Sequence, residues 1–434
     1  MKFGRSIGLL AALVSALCIG GLLSVTVTTK SYSESYPAVV CPPTIAGLNS
    51  QISLASKKTQ FQRLQNRTTK TAPVKVLRLP VNKDSLLFNT EGVTPVVWQS
   101  KASSWAGGAI CTGPSTSQWF VGGAADITTK GRLVIVNSGL SDAIVDVQSF
   151  TENGKQPVRT ITVVSKNYIV IPTDSLAPGD KYLTVHVAPR SGRVNAFMID
   201  EQSKGLRSLG GDLVNSASTP TKSLLIPAIP NQIIKNTKTL PHTLRVLSPG
   251  DVDASVTAEV LSADGVFVPV GLTSRTVNAG IVTEFQFTPK ITSTVLAIRI
   301  TSTEPVVAAI KSTVTVSGRK DFVWSTSAPE LVPLTIAISG LTPLVSFAGD
   351  QINVSLDVTM NNGKVIRKTI KGTDIATWRA PDAARSFTIT KVGPDTFAGA
   401  LVSSVNGYGY FPIAPGSLLT KIELPDSNIR VLNP

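Results

Sequence analysis

The sequence predicts a mainly β protein in which tandem immunoglobulin-like β-sandwich domains follow an N-terminal transmembrane anchor helix. Three observations support this fold class. Val, Thr, Ser and Ile, which favour strands and turns, dominate the chain beyond residue 85. Segments such as RLVIVN and NYIVIP are short, rich in β-branched residues and bounded by Gly, Pro, Asn or Asp. An uncharged run from Ile7 to Thr29 is long enough to cross a bilayer as a helix.

The first 30 residues predict where the protein is located. Lys2 and Arg5 precede the apolar run, which favours export of the rest of the chain with the anchor held in the cell membrane. The stretch VTVTTKSYS offers no clear small-residue cleavage site, so a retained single-pass anchor is favoured over a cleaved signal peptide and a secreted protein. Lipid attachment at Cys18 is disfavoured, because Leu17 is not small and the apolar run continues past the cysteine.

A segment of turn and strand recurs along the chain. Residues 134–148, VIVNSGLSDAIVDVQ, resemble residues 246–260, VLSPGDVDASVTAEV, and a more divergent copy begins at Leu344. The recurring Gly is expected to supply a positive φ in the turn, and the recurring Asp to accept a backbone N–H. The first two copies match at an offset of 111 in six pairs: Leu133 and Leu244, Gly139 and Gly250, Asp142 and Asp253, Ala143 and Ala254, Val145 and Val256, Gly154 and Gly265.

This period predicts domains of about a hundred residues. A β-propeller is the competing architecture, but its blades repeat at about 40–50 residues. Proline-rich clusters such as STSAPELVPLT predict stiff links and hence an extended rod of domains. The predicted divisions are the anchor at 1–30, a basic juxtamembrane and Cys/Trp-containing region at 31–127, and β-sandwich repeats at 128–235, 236–338 and 339–434.

Two cysteines lie in the part of the chain predicted to be exported. An oxidising compartment allows Cys41 and Cys111 to pair, which would stabilise the fold by roughly 4 kcal/mol on a chain-entropy argument. Two free buried thiols are the alternative. The cysteines and histidines have no zinc-ligand spacing.

Positive charge is concentrated in residues 51–83. The chain carries a net charge of +14, and this segment contains eight basic residues and no Asp or Glu. Attraction to anionic lipid headgroups or acidic envelope polymers is one interpretation, worth about 1 kcal/mol per residue near a charged surface; a solvated spacer is the other. Nucleic acid is not expected as a partner outside the membrane. The basic residues are Lys57, Lys58, Arg63, Arg67, Lys70, Lys75, Arg78 and Lys83.

Aromatic residues cluster in two places. Trp98, Trp105 and Trp119 surround Cys111, and NGYGYF contains Tyr408 and Tyr410. Exposed aromatic faces can stack on sugar rings or proline-rich peptides. Core packing beside the disulfide would explain the tryptophans equally, and the tyrosines could cap a sheet edge.

No catalytic or cofactor-binding residue is predicted. Alternation in KYLTVHV directs His186 towards solvent, His242 follows Pro241 in a linker-like stretch, and no GxSxG motif is present. Asp251 and Asp253 resemble half of a calcium site, but the downstream carboxylates that calcium needs are missing.

The stretches VVCPP, VVWQSKASSWAGGAICTG and GRLVIVNSGLSDAIVDVQSF resemble an actinobacterial family of exported, membrane-anchored proteins known as a domain of unknown function, number 5719. The resemblance implies an envelope location, no assigned activity and frequent encoding beside envelope glycosyltransferases. We therefore expect a non-enzymatic structural or binding protein of the bacterial cell envelope that supports wall polysaccharide assembly. The alternatives are an adhesin or module that binds envelope proteins and, more remotely, an envelope glycosidase.

Overall fold

The computed structural model describes residues 39–417, apart from residues 57, 67, 74, 75, 90, 91, 103 and 235–237. The predicted anchor and Cys18 lie outside the described residues. Within this part, no helix is long and apolar enough to span a membrane. The prediction of a mainly β chain is confirmed, and the described residues contain one helical element, a 3₁₀ turn at Thr173–Ser175.

Eight strands form the N-terminal region. Four of them make a sheet in the order β1-β6-β3-β4, and the others, β7, β2, β5 and β8, enter a larger sheet described below. The predicted disulfide joins Cys41, at the end of β1, to Cys111, directly after β8. The strands are β1 Val39–Cys41, β2 Asn49–Ser53, β3 Gln60–Arg63, β4 Lys70–Thr71, β5 Arg78–Val81, β6 Leu86–Phe88, β7 Val93–Lys101 and β8 Trp105–Ile110.

The first module, residues 118–214, has two sheets. One has the order β12-β11-β15-β9, with β13 also paired to β11, and the other has the order β14-β10-β16-β17. Its strands are β9 Gln118–Val121, β10 Arg132–Asn137, β11 Ala143–Thr151, β12 Gly154–Lys155, β13 Arg159–Val163, β14 Asn167–Pro172, β15 Thr184–Ser191, β16 Val194–Lys204 and β17 Arg207–Val214.

The second module, residues 221–326, repeats this pairing scheme. β22 pairs with β23, β24 and the first half of β26, while β21 pairs with β25 and the second half of β26. The single strand β26 therefore replaces β15 and β16. The strands are β18 Thr221–Pro230, β19 Ile233–Ile234, β20 Lys238–Thr239, β21 His242–Leu247, β22 Ala254–Ser262, β23 Gly265–Phe267, β24 Arg275–Val277, β25 Thr283–Phe287, β26 Val295–Val316 and β27 Arg319–Thr326.

The third module, residues 334–412, follows the scheme with longer strands. The first part of β29 pairs with β32 and its second part with β31, and β30 pairs with β29 along both parts. β28 also pairs in parallel with β7, which joins the third module to β2, β5 and β8 in one ten-stranded sheet. The strands are β28 Leu334–Ala337, β29 Leu344–Met360, β30 Val365–Arg379, β31 Ala384–Lys391, β32 Phe397–Ser403 and β33 Tyr408–Pro412.

The sequence repeat has a direct structural counterpart. Asp142 accepts the Ser165 N–H at 2.9 Å, and Asp253 accepts the Ala279 N–H at 2.8 Å. In both modules the aspartate therefore fastens the turn before the central strand to a loop more than twenty residues later, as expected of a residue that accepts a backbone amide.

The matched glycines divide into two kinds. Gly154 and Gly265, with φ of 107° and 120°, supply the left-handed conformation that a side chain would strain. The expectation of positive φ is wrong for Gly139 and Gly250, neither of which adopts it. At Gly139 the backbone N–H instead donates to the Asn137 side chain at 2.8 Å, so this turn is fixed by an Asx-type hydrogen bond.

The modules pack against one another around four strands. β8 contacts β17 and β33, β17 contacts β27, and β27 contacts β33, which closes a ring. Glycines allow this approach, since a Cβ at Gly211 would meet the Trp105 ring and one at Gly409 would meet the Gly108 backbone. The expectation of an extended rod is therefore wrong, because the described residues between 39 and 417 belong to one compact unit. The proline-rich links do not hold the modules apart.

Strand pairing also crosses the predicted domain divisions. β18 lies within the predicted repeat 128–235 but pairs with β26 of the second module. Likewise β7, from the predicted region 31–127, pairs with β28 of the third module. The second module therefore begins within the proline-rich cluster at 217–231, and the third begins at the end of the cluster STSAPELVPLT.

Candidate functional site

Two aspartates on neighbouring strands of the ring, β17 and β27, accept hydrogen bonds from each other's strand. Asp212 on β17 accepts the Trp324 N–H of β27 at 2.8 Å, and Asp321 on β27 accepts the Gly211 N–H of β17 at 3.0 Å. Each also accepts the N–H of the residue that follows it, Leu213 or Phe322. We call this arrangement the carboxylate clasp, and it joins the first module to the second.

Burial dominates the electrostatics of the clasp. It raises the pKa of Asp212 well above its usual range, aided by the nearby charges of Asp321 and Asp200, and it raises the pKa of Asp321 to about 7. Asp200 lies beside them and accepts the Trp324 Nε1–H at 2.8 Å. Among the described residues, no group of three or more His, Cys, Asp or Glu side chains could hold a metal ion.

Arg245 is a buried cation with a full set of partners. Its Nη1 donates to the carbonyls of Gly123 and Leu183 at 2.6 and 2.8 Å, and its Nη2 forms a 2.6 Å ion pair with Glu284. The guanidinium also lies 4.7 Å from the centroid of the Trp324 ring. It therefore stabilises the junction between the first two modules, and each of its three nitrogen atoms has an acceptor.

A second group of charges lies in a cleft of about 1200 Å³, here called the basic cleft. Its floor is one face of the paired strands β5, β2 and β7. In the register of these strands, Gln51 lies between Pro80 and Trp98, and Arg78 lies opposite Ser53. The rim adds residues from distant parts of the chain: Arg63, Lys83, Asp84, Tyr168, Ser404 and Asn406. The last three are far from residues 51–83 in the sequence, so the sequence did not predict that they line this cleft.

Arg78 is the unusual member of the basic cleft. Its Nε and Nη2 atoms are buried and have no hydrogen-bond partner among the described residues, which also provide it no salt bridge. Burial lowers its pKa. Gly340, at a φ of 70°, packs against the Arg78 side chain where a Cβ would collide with it. The guanidinium is thus held in place by packing while two of its groups lack acceptors.

The other predicted basic residues are distributed differently. Arg63 is half-buried and Lys83 is exposed, and both line the basic cleft. Lys58 and Lys70 are exposed and do not line it. Lys57, Arg67 and Lys75 lie outside the described residues. The Asp84 carboxylate, which accepts the Gln65 N–H at 3.2 Å, is the acidic member of the lining.

The predicted aromatic residues do not form one surface. Trp98 lines the basic cleft but is only 7% exposed. Trp105 is fully buried, and Tyr410 is buried with its hydroxyl donating to the Thr326 carbonyl at 2.9 Å. Tyr408 is half-buried. Packing therefore accounts for Trp105 and Tyr410.

Trp119 lies in another cleft, of about 610 Å³, between the first and second modules. We call it the inter-module cleft. Trp119 stacks on His186 with ring centroids 4.0 Å apart and an interplanar angle of 10°. His186 Nε2 lies 2.8 Å from Ser117 Oγ, and burial lowers the histidine pKa. The solvent-facing position expected for His186 is therefore wrong, because Trp119 covers the imidazole.

The Ser117 and His186 pair lacks the rest of a hydrolytic triad. Within the described part of the chain, no carboxylate orients the second nitrogen of the His186 ring. His242 is also not in a linker: it begins β21, is buried, and contacts Ser312 Oγ at 2.9 Å. Burial lowers the pKa of His242 to about 4.

Comparisons with known proteins agree with the sequence resemblance. No curated protein matches the chain. Among solved structures, the chain is similar to the crystal structure of Thermotoga maritima 1070, at 16% identity and a TM-score of 0.19, over 25% of this chain and 95% of that chain. The model of the Family of unknown function (DUF5719) matches residues 97–371. The chain therefore belongs to the DUF5719 family, as its motifs predicted.

Proposed function

We propose that this protein is a membrane-anchored, extracytoplasmic and non-enzymatic binding protein of the bacterial cell envelope, in which the basic cleft holds an anionic envelope polymer and supports wall polysaccharide assembly. On this proposal the three modules are immunoglobulin-like sandwiches that act as a rigid frame. The apolar run at residues 7–29 supports the anchor. The cysteine pair supports an oxidising compartment, where such bonds persist.

The observation that carries the proposal is the state of Arg78. A buried donor without an acceptor costs about 1–3 kcal/mol, and more when it is charged. Arg245 shows that this fold can give every nitrogen atom of a buried guanidinium an acceptor where the role is structural. Arg78 keeps Nε and Nη2 unpaired in a cleft that also contains Arg63 and Lys83. A carboxylate or phosphate is the group whose two oxygens match such a donor pair.

The rest of the lining suits a hydroxylated polymer. Side-chain amides of Asn49, Gln51 and Asn406 provide both donors and acceptors, and the small exposed part of Trp98 lies beside them. Such planar polar groups beside an aromatic ring fit sugar hydroxyls and sugar C–H faces. The residues line a groove, which favours a polymer chain over the flat array of headgroups at a membrane surface.

The test is binding of the full chain in detergent to polygalacturonate, a carboxylated polysaccharide, measured by calorimetry at low and moderate salt. We expect binding that weakens as salt rises, and we expect Arg78→Met to weaken it by about tenfold or more, since a hydrogen bond to a charged group contributes about 1.5–3 kcal/mol.

Lys70→Met is the matched control, because Lys70 is an exposed basic residue of the same segment outside the basic cleft. It should bind like the unmodified protein. Equal losses in the two variants would show that only general positive charge matters and would contradict the assignment of the cleft. Recovery of shortened polymer after incubation would contradict the non-enzymatic role.

A further inference from the structure

We propose that the basic cleft selects a zwitterionic polymer, one that carries ammonium groups as well as anionic groups, and that Asp84 accepts the ammonium. This inference rests on the function proposed above and deepens it, because it names a second group of the ligand and the residue that recognises that group. The observation that carries it is a pair of lining residues of opposite charge, each with buried polar atoms that lack a partner.

The lining of the basic cleft includes unpartnered buried atoms of both signs. Among the described residues, Arg78 contributes the donors Nε and Nη2, and Asp84 contributes the acceptor Oδ1. The described residues that line the inter-module cleft contribute no such atom. An anionic group can satisfy Arg78 but not Asp84, because a carboxylate oxygen only accepts hydrogen bonds. A ligand that satisfies both residues must also carry a donor, and a cationic donor binds a carboxylate most strongly.

The Asp84 carboxylate is held in position by the chain around it. Its Oδ2 accepts the Gln65 N–H at 3.2 Å. The preceding carbonyl, of Lys83, accepts the Tyr168 hydroxyl at 2.8 Å, and the carbonyl of the residue after Asp84 accepts the Leu64 N–H at 3.0 Å. The loop that carries Asp84 is therefore fastened on both sides, which leaves Oδ1 as the acceptor without a partner in the described part of the chain.

The basic neighbours of Asp84 do not neutralise it. Lys83 precedes it in the chain, and Arg63 lies opposite Leu86 in the strand register, yet the described residues form no ion pair with Asp84. Lys83 is exposed, so water solvates its ammonium. Arg63, Arg78 and Lys83 are also without ion pairs in this part of the chain. The cleft therefore attracts anions and still offers one carboxylate to a cation.

The placement of the two residues favours a polymer over a small zwitterion. Arg78 begins β5, which spans about 10 Å to Val81 at a rise of about 3.3 Å per residue, and Asp84 follows the strand. Arg78 packs against Gly340 of the third module, whereas the loop of Asp84 is bonded to Tyr168 of the first module. A free amino acid carries both charged groups on one carbon and is too short to reach both residues. A chain of alternating acidic and amino units is long enough.

The test compares two oligosaccharides that differ at one group, by calorimetry on the full chain in detergent at about pH 6, where amino groups are protonated. Hyaluronan hexasaccharide alternates carboxylates with acetamides, and its de-N-acetylated form alternates the same carboxylates with ammonium groups. We expect the de-N-acetylated form to bind about tenfold more tightly, although its net negative charge is lower. General attraction to positive charge would rank the two probes in the opposite order.

Three variants assign the preference to Asp84. Asp84→Asn keeps an oxygen for the Gln65 N–H but removes the charge, so it should lose the tenfold preference and still bind hyaluronan hexasaccharide, which also shows that it is folded. Arg78→Met should weaken both probes by a similar factor. Asp382→Asn is the matched control and should keep the preference, because Asp382 is exposed, lies outside the cleft and has no ion pair in the described part of the chain.

The outcomes separate this inference from the function proposed above. If hyaluronan hexasaccharide binds as tightly as its de-N-acetylated form, or more tightly, and Arg78→Met weakens both, the anionic site stands and the selection of a zwitterion is overturned. An equal loss of preference in Asp84→Asn and Asp382→Asn would overturn it too. If neither probe nor polygalacturonate binds, the proposed function fails and this inference fails with it.

Discussion

The carboxylate clasp and the basic cleft both hold charged groups away from water, yet they do so in opposite ways. In the clasp, Asp212 and Asp321 each accept two backbone N–H groups, one of them from the other module. In the basic cleft, Arg78 has buried N–H groups with no acceptor in the described part of the chain. The difference teaches that burial of charge does not by itself mark a functional site. The informative feature is a buried polar group that lacks a partner and also lines a cleft. Asp321 Oδ2 lacks a partner as well, but the clasp residues line neither cleft.

The largest effect should follow from breaking the clasp. Asp212→Ala leaves the N–H groups of Trp324 and Leu213 without an acceptor, at about 1–3 kcal/mol each, so we expect the free energy of unfolding to fall by about 2–6 kcal/mol. Asp212→Asn keeps an acceptor oxygen and should cost much less. Urea denaturation measures the free energy of unfolding of both variants. Equal losses in the two would show that the hydrogen bonds of the clasp do not stabilise the fold.

The clasp should also make stability depend on pH in a defined direction. Asp321 has a pKa of about 7 in the fold and a usual value of 3.8. Its stabilising contribution is therefore fully present below pH 3.8 and is lost as the pH rises through 7. The shift of about three units corresponds to about 4 kcal/mol at most. Asp321→Asn does not titrate, so relative to the unmodified protein it should gain stability between pH 4 and pH 8.

Buried His242 changes the stability of the fold with pH in the opposite direction, over much of the same pH range. Its pKa of about 4 in the fold, against a usual 6.5, means that stability is lost as the pH falls from 6.5 towards 4. The unmodified protein should therefore show a shallow pH profile, and the comparison with Asp321→Asn should be made by thermal unfolding at each pH. A constant difference in Tm between the two proteins across pH 4–8 would contradict the assigned pKa.

A smaller effect of opposite sign is expected in the basic cleft. Arg78→Met removes an unpaired buried cation and keeps much of the apolar stem, so we expect the free energy of unfolding to be unchanged or to rise by about 1 kcal/mol. Arg245→Met should behave differently, because Arg245 is paired with Glu284. Removing one member of a buried ion pair lowers the free energy of unfolding by about 3–5 kcal/mol. Urea denaturation of Arg78→Met and Arg245→Met compares them directly, and similar large losses would show that Arg78 is structural.

The smallest effect should come from a solvated charge. Lys70→Met alters an exposed side chain that no ion pair holds in the described part of the chain. We expect its stability to stay within about 0.5 kcal/mol of the unmodified protein. A larger change in the same urea titration would show that the basic segment contributes to the fold beyond the basic cleft.

The features that the sequence predicted are those determined by local pattern. Strands follow from β-branched alternation, and the Cys41–Cys111 disulfide was one of two readings of a cysteine pair. The repeat was visible because Asp142 and Asp253 perform the same local task. The sequence predicted a basic segment but not which of its residues line the cleft. Arg78 and Lys70 are both basic residues of this segment, and they differ only in their surroundings in the fold.

The features that the sequence did not predict depend on contacts between distant residues. The Asp212 and Trp324 bond spans more than a hundred residues, and the ring of strands depends on glycines of separate modules meeting. One signal was present: the strand segments AGGA, LGGD and GYGY combine glycine with strand pattern, which often marks close approach of another backbone. Aspartates such as Asp212 within strand segments were a second signal.

The most direct measurement of the central claim is the shift in Tm that polygalacturonate causes in the unmodified protein and in Arg78→Met. A ligand that satisfies the unpaired guanidinium binds only the folded state and must raise its Tm. We predict a rise that depends on polymer concentration in the unmodified protein and little or no rise in Arg78→Met. An equal rise in both proteins would show that the unpaired donors of Arg78 do not mark the binding site.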